Sequence, residues 1–177
     1  MKRAVAIGLA TICILGAAIS FAQGQAPKPA PELKKLDYFV GNWSSEADMK
    51  PSPFGPGGKF TGTDHLEWME GGFFLAGHSE GDSSMGHQKG TSFWGYDPEE
   101  KVYTYNEFST SGEAISAKGT INGDTWTWTN EMKMGGKVSR GRYTIKTTSP
   151  TSYTFKFEMA PEGGDFATLM EGKATKK

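Results

Sequence analysis

The feature that most restricts this chain is a strict alternation of side chains along its later segments. Trp126, Trp128, Met132 and Met134 share one parity, and Thr127, Thr129, Glu131 and Lys133 take the other. Tyr153, Phe155, Phe157 and Met159 alternate with Thr154, Lys156 and Glu158 in the same way, and Tyr143 and Ile145 alternate with Arg142, Thr144 and Lys146. A period of two puts aromatic and apolar groups on one face of an extended strand and solvated groups on the other. Such a chain must build antiparallel sheet and bury one face of it.

Turn chemistry then counts the strands. Asn122-Gly123, Gly71-Gly72 and Gly135-Gly136 are hairpin signals, because tight primed turns need positive φ. Asp97-Pro98-Glu99-Glu100 reads as a turn with Pro at its second position, and Ser149-Pro150-Thr151 and Pro161-Glu162-Gly163-Gly164 mark two more. The spacing predicts strands at 42–49, 59–69, 73–80, 89–96, 101–109, 113–121, 124–133, 137–147, 152–159 and 166–174. Connections this short make successive strands antiparallel neighbours. The expected fold is all-β, an up-and-down antiparallel barrel of about ten strands, since closure removes the sheet edges. Tracing the meander sends loops 50–58, 81–88, 110–112, 135–136 and 160–165 to one rim. The opposite rim receives the tight turns and a short helix, so the expected shape is a cup with one looped, mobile rim.

The N-terminal part reads differently. Lys2 and Arg3 precede an apolar run from Ala4 to Ile19, followed by Ser20-Phe21-Ala22. This is the pattern of a secretory signal peptide over residues 1–22, and it predicts a periplasmic or secreted mature protein. The single cysteine, Cys13, falls inside the signal, so the mature barrel is expected to be thiol-free. Residues 23–31 form a Pro/Ala-rich tether, and 32–177 form the single barrel domain. Pro31, Leu33, Leu36 and Phe39 or Val40 have helical spacing, and Gly41 ends a short helix over 31–39. With a net charge of −1 the chain lacks the footprint of a nucleic-acid binder. Nothing after the signal resembles a membrane span.

Gly41-Asn42-Trp43 after a short helix resembles the Gly-x-Trp opening of lipocalin-like (calycin) barrels. The segments LDYFVGNWSSE (36–46), EWMEGGFFL (67–75) and GYDPEEKVYTYNEF (95–108), with Arg140 and Arg142 in a late strand, resemble a bacterial lipocalin-like family. It is the domain-of-unknown-function family 1579, and the resemblance runs from about residue 33 to 175. The resemblance implies a calycin-like barrel in which Gly41 and Trp43 are structural, Trp43 packing across the floor. It carries no reaction and no catalytic residue. Unlike true lipocalins, the chain has no disulfide, and its Arg pair lies in the eighth strand.

The inward aromatics suggest a ligand pocket. Trp126, Trp128, Tyr143, Phe155, Phe157 and Tyr105 are the candidate ligand-binding residues, set against the simpler reading that they pack as core. A ten-stranded barrel is wider than the size whose side chains just fill it. The expected partner is a small, largely apolar molecule, with no cofactor implied. A second reading is a metal or haem site at His78 and His87 with Glu80 and Asp82. A third is an enzyme acting on a hydrophobic substrate inside the cup, although no nucleophile elbow, catalytic triad or phosphate loop occurs.

Overall fold

In the computed structural model, which describes residues 27–53, 55–134 and 136–177, the chain closes into a ten-stranded antiparallel barrel. The signal peptide expected at 1–22, with Cys13, lies outside the described residues. The strands are β1 Gly41–Met49, β2 Gly58–Trp68, β3 Leu75–Ser83, β4 Gly86–Asp97, β5 Val102–Ser109, β6 Ala114–Asn122, β7 Thr125–Met134, β8 Lys137–Ser149, β9 Ser152–Pro161 and β10 Ala167–Lys176. Each pairs with its neighbours in sequence, and β1 pairs with β10 from Trp43↔Lys176 to Met49↔Met170 to close the ring. No helix among the described residues is long and apolar enough to cross a membrane.

Parity decides which residues fill the barrel. Trp126 and Trp128 of β7, Ile145 of β8 and Phe155 of β9 all point inward and are buried. Between them, Thr127, Arg142, Thr144 and Lys156 stand on the outer wall. The turns follow the local chemistry. Gly123 adopts φ +60 in the β6–β7 connection, and Asp97 Oδ1 accepts hydrogen bonds from the backbone N–H of Glu99 (2.8 Å) and Glu100 (3.0 Å) before β5.

The N-terminal helix plugs one end. Pro31–Phe39 is a 3₁₀ helix, with Pro at its start and Leu33, Leu36 and Phe39 buried at a spacing of three, the 3₁₀ repeat. It is tied to the rim by side chains from across the barrel. Trp43 Nε1 donates to the Phe39 carbonyl (2.8 Å), the Tyr103 hydroxyl to the Glu32 carbonyl (3.0 Å), and Trp68 Nε1 to Asp37 Oδ1 (2.8 Å). Tyr38 donates its hydroxyl to the Ser152 carbonyl at the β8–β9 turn (2.7 Å). Lys176, at the end of β10, lays its ammonium 5.3 Å from the Trp43 ring and donates to the Tyr38 carbonyl (3.3 Å). A terminal lysine thus covers the floor tryptophan, while Arg140 and Arg142 lie far along β8. The segment before the helix is partly docked, since Ala30 packs against the core.

Two connections differ from the sequence expectation. The β2–β3 link is wider than a Gly71-Gly72 hairpin: it spans residues 69–74, with Gly71 at φ +88 and Gly72 at φ +71. Phe74 leaves the ladder there and puts its ring over Gly95 on the outer wall, where a Cβ would come within 2.8 Å of it. The expected 81–88 loop is mostly strand. Pairing continues through Asp82↔His87 to Ser83↔Gly86, leaving Ser84 and Met85 as the turn. Ser83 Oγ accepts from Met85 N–H (3.1 Å) and Gly86 takes φ +105, so the polar, glycine-rich run closes a tight hairpin. The loops between β1 and β2 and between β9 and β10 remain at this rim. Ser84 Oγ donates to the Gly57 carbonyl (2.7 Å), joining the hairpin tip to the first of them.

Candidate functional site

The interior is not filled. Above the floor made by Phe39 and Trp43 lies a cavity of about 370 Å³ that reaches Ile115 on β6, Met132 on β7 and Met170 on β10. Its walls differ in chemistry. On β8 and β9 the lining is aromatic and apolar: Tyr143, Ile145, Tyr153, Phe155 and Phe157, with Tyr143 5.7 Å from Phe155 in a stacked arrangement. On β2 to β5 it is largely polar: Asp64, Ser79, Ser92, Tyr105 and Glu107.

Strand register builds the polar wall. Asp64 of β2 faces Ser79 of β3, Ser79 faces Gly90 of β4, and Ser92 faces Glu107 of β5. Gly90 lets these groups converge. A Cβ placed there would be 2.5 Å from Glu107 Oε1 and 2.7 Å from Ser79 Oγ. The Glu107 carboxylate therefore reaches over bare backbone toward β3, and the Tyr105 hydroxyl donates to its other oxygen, Oε2. Ser92 Oγ accepts from Trp94 Nε1 at 3.0 Å.

Electrostatics mark the same wall. Burial, helped by the nearby Glu107 charge, raises Asp64 to about 6. Burial pushes Tyr105 well above the usual phenol range, with Glu107 adding to the shift, and burial does the same to Tyr143. Asp64, Tyr105 and Tyr143 line the cavity and are largely desolvated. Among the described lining residues none is Lys, Arg or His.

One buried indole donor has no acceptor. Trp128 is 4% exposed, and its Nε1 is buried without a hydrogen-bond partner. The six-membered ring of its indole lies over Gly119, whose Cβ would be 2.5 Å from Cε3. The N–H edge therefore faces away from β6.

Of the residues singled out from the sequence, Trp128, Tyr143, Phe155, Phe157 and Tyr105 line the cavity. Trp126 sits lower, 1% exposed, between Phe39 (5.3 Å) and Tyr103 (4.8 Å), where it forms part of the floor. His78, Glu80, Asp82 and His87 stand on the outer wall of β3 and β4. His87 Nδ1 lies 3.0 Å from Asp82 Oδ1, and His78 Nδ1 lies 3.4 Å from Thr91 Oγ1. Among the described residues no three His, Cys, Asp or Glu side chains form a group able to hold a metal ion.

Sequence reasoning did not identify Asp64, Glu107, Ser79 or Ser92. A signal was present. Asp64 is in phase with Phe60 and Leu66, and Glu107 with Tyr103 and Tyr105, so each acid occupies the apolar parity of its strand.

A second depression, of about 830 Å³, lies on the outer wall across β1, β2, β8, β9 and β10. Its ionic groups are exposed and already paired, as in Lys59–Asp48 (2.6 Å) and Lys50–Glu171 (2.9 Å). Such pairs in water hold little net energy and leave no free charge to recognise a ligand. The interior is the better site.

The model of a family described as "Protein of unknown function (DUF1579)" matches residues 28–176. None of the curated proteins compared with the chain matches it. Among solved structures, Rv2717c from M. tuberculosis is similar at 13% identity, with a TM-score of 0.58 over 85% of this chain and 99% of that one. EF1p2_mFAP2b bound to DFHBI aligns at 12% identity and a TM-score of 0.45, over 82% of this chain and 98% of that one. At these identities the first likeness concerns the fold alone, and the second carries no weight for function.

Proposed function

The chain belongs to the DUF1579 family of unknown function, and we propose that it binds or carries a small, largely apolar molecule inside its barrel. The observation that carries this is the cavity of about 370 Å³ bounded by Tyr143, Phe155 and Phe157 on one side and a few convergent polar groups on the other. Ligand pockets have that size and that mixture, mostly apolar with a small number of placed polar groups. The helix closes the floor through Phe39, so access is from the far rim, which carries the β1–β2 loop, the β3–β4 hairpin and the β9–β10 loop. We take the mature barrel to act after export, as Lys2, Arg3 and the apolar run ending near Ala22 argue.

Trp94 and Trp128 border the cavity and report on it. Titration with the neutral lipophilic dye Nile red should quench tryptophan emission and saturate at one dye per chain. Absence of saturable quenching would count against an interior binding site.

A further inference from the structure

If the interior holds a ligand, its chemistry restricts which one. From the Asp64 and Glu107 carboxyls, which line one cavity with no cationic side chain among its lining residues, we infer that the ligand is a lipophilic amine. This rests on the interior being a binding site, as proposed above.

The charge pattern of the cavity supports the assignment. The ionisable groups that face Asp64 are Glu107, Tyr105, Tyr143 and Tyr153, contributed by β5, β8 and β9, and none supplies a positive charge. Two carboxyls sharing one cavity repel one another, and a cation beside them relieves that repulsion while a third anion adds to it. A fatty-acid-like carboxylate is therefore the wrong head group for this wall, although its tail would suit the opposite one.

The apolar body of the ligand then lies against Tyr143, Phe155 and Phe157.

The test compares matched probes by calorimetry: para-methoxyphenethylamine, the corresponding alcohol and para-methoxyphenylacetate. The amine should bind at least about tenfold tighter than the alcohol, a difference of about 1.4 kcal/mol. The acetate should be weakest. In the isosteric D64N/E107Q double variant the amine should lose its advantage while Nile red still binds, which also reports an intact fold. An acetate that binds as well as the amine, or an amine preference that survives the double variant, would overturn the assignment. If Nile red binds and the amine shows no preference, the head-group assignment fails alone. If neither the dye nor any matched probe binds, the interior-site reading fails with it.

Discussion

Tyr105 and Glu107, two residues apart on the inner face of β5, are joined by a hydrogen bond from the phenol hydroxyl to Oε2 of the carboxylate. The bond fixes an acid at the height of the cavity and leaves its other oxygen over Gly90, beside Ser79. It also keeps the phenol protonated, since burial and the adjacent carboxylate both raise Tyr105 well above the ordinary range. An acid that would otherwise swing freely becomes a placed part of the wall.

Removing that tether should cost stability without emptying the site. Tyr105→Phe deletes a hydrogen bond to a charged acceptor, worth about 1.5–3 kcal/mol. Urea denaturation should show a loss of that size, and Nile red should still saturate at one per chain. An unchanged midpoint would mean that the Tyr105–Glu107 bond contributes nothing in solution.

Asp64 gives the barrel a pH signature. Its carboxyl is raised from 3.8 to about 6 by burial and by Glu107. Below pH 3.8 the group is protonated in both folded and unfolded chains and contributes no difference. Between 3.8 and about 6 the unfolded chain has lost the proton and the folded chain still holds it. Above about 6 both are ionised and the folded state carries a buried charge. The Asp64 contribution therefore falls as pH rises through this window, by about 3 kcal/mol in all. Asp64→Asn should flatten that part of the profile and be more stable than the parent at pH 7. A variant that tracks the parent across the window would contradict the shift.

Glu158 should behave oppositely. Its side chain is 7% exposed on the outer wall, 2.8 Å from Arg142 Nε and 2.9 Å from Lys156 Nζ. The hydrogen bond from Arg142 leads in holding it below its ordinary value of 4.5, against the opposing effect of burial. Its stabilisation is present above pH 4.5 and is lost as pH falls through the lowered folded value. Glu158→Gln should cost about 2 kcal/mol at pH 7 and almost nothing in strong acid, measured by thermal melts at both ends. An equal cost at both would show that packing, not charge, is what the residue supplies. The same arginine stacks 4.0 Å from the Phe166 ring, and Arg140 donates to the Gly164 carbonyl at 2.9 Å. The β8 arginines thus anchor the β9–β10 loop and do not enter the cavity.

Gly119 seats the Trp128 indole. A Cβ at this position would be 2.5 Å from the ring carbon Cε3 and 2.6 Å from Cζ3. Gly119→Val should displace the ring, destabilise the barrel by about 1–3 kcal/mol and weaken dye binding. Tryptophan emission and urea melts read both effects. Full dye affinity in the variant would remove Trp128 from the binding wall.

The strand meander was legible because the period of two and the turn dipeptides are local properties. Asn122-Gly123 sets a hairpin wherever it occurs between extended segments. The inward parity of Trp128, Tyr143, Phe155 and Phe157 was readable for the same reason. The convergence of Asp64, Ser79 and Glu107 was not, because it depends on the register between β2, β3, β4 and β5 and on the missing side chain at Gly90. Trp126 looks identical to Trp128 along the strand, yet two residues of height separate floor from cavity. The β3–β4 hairpin was misjudged because Gly81, Ser83 and Gly86 have loop composition. In the ladder they face a crowded interior and a tight turn that small residues suit.

Blocking the barrel interior tests most directly whether a ligand binds there. Ala117 lines the cavity on β6, opposite Tyr105 on β5, and Ala117→Phe would place a ring in that space. Nile red titration of the parent and of this variant, each shown to be folded by its near-ultraviolet circular dichroism, should give saturable one-to-one binding to the parent. The variant's affinity should fall by at least about tenfold. Equal affinity in the two proteins would place the dye elsewhere and contradict the account.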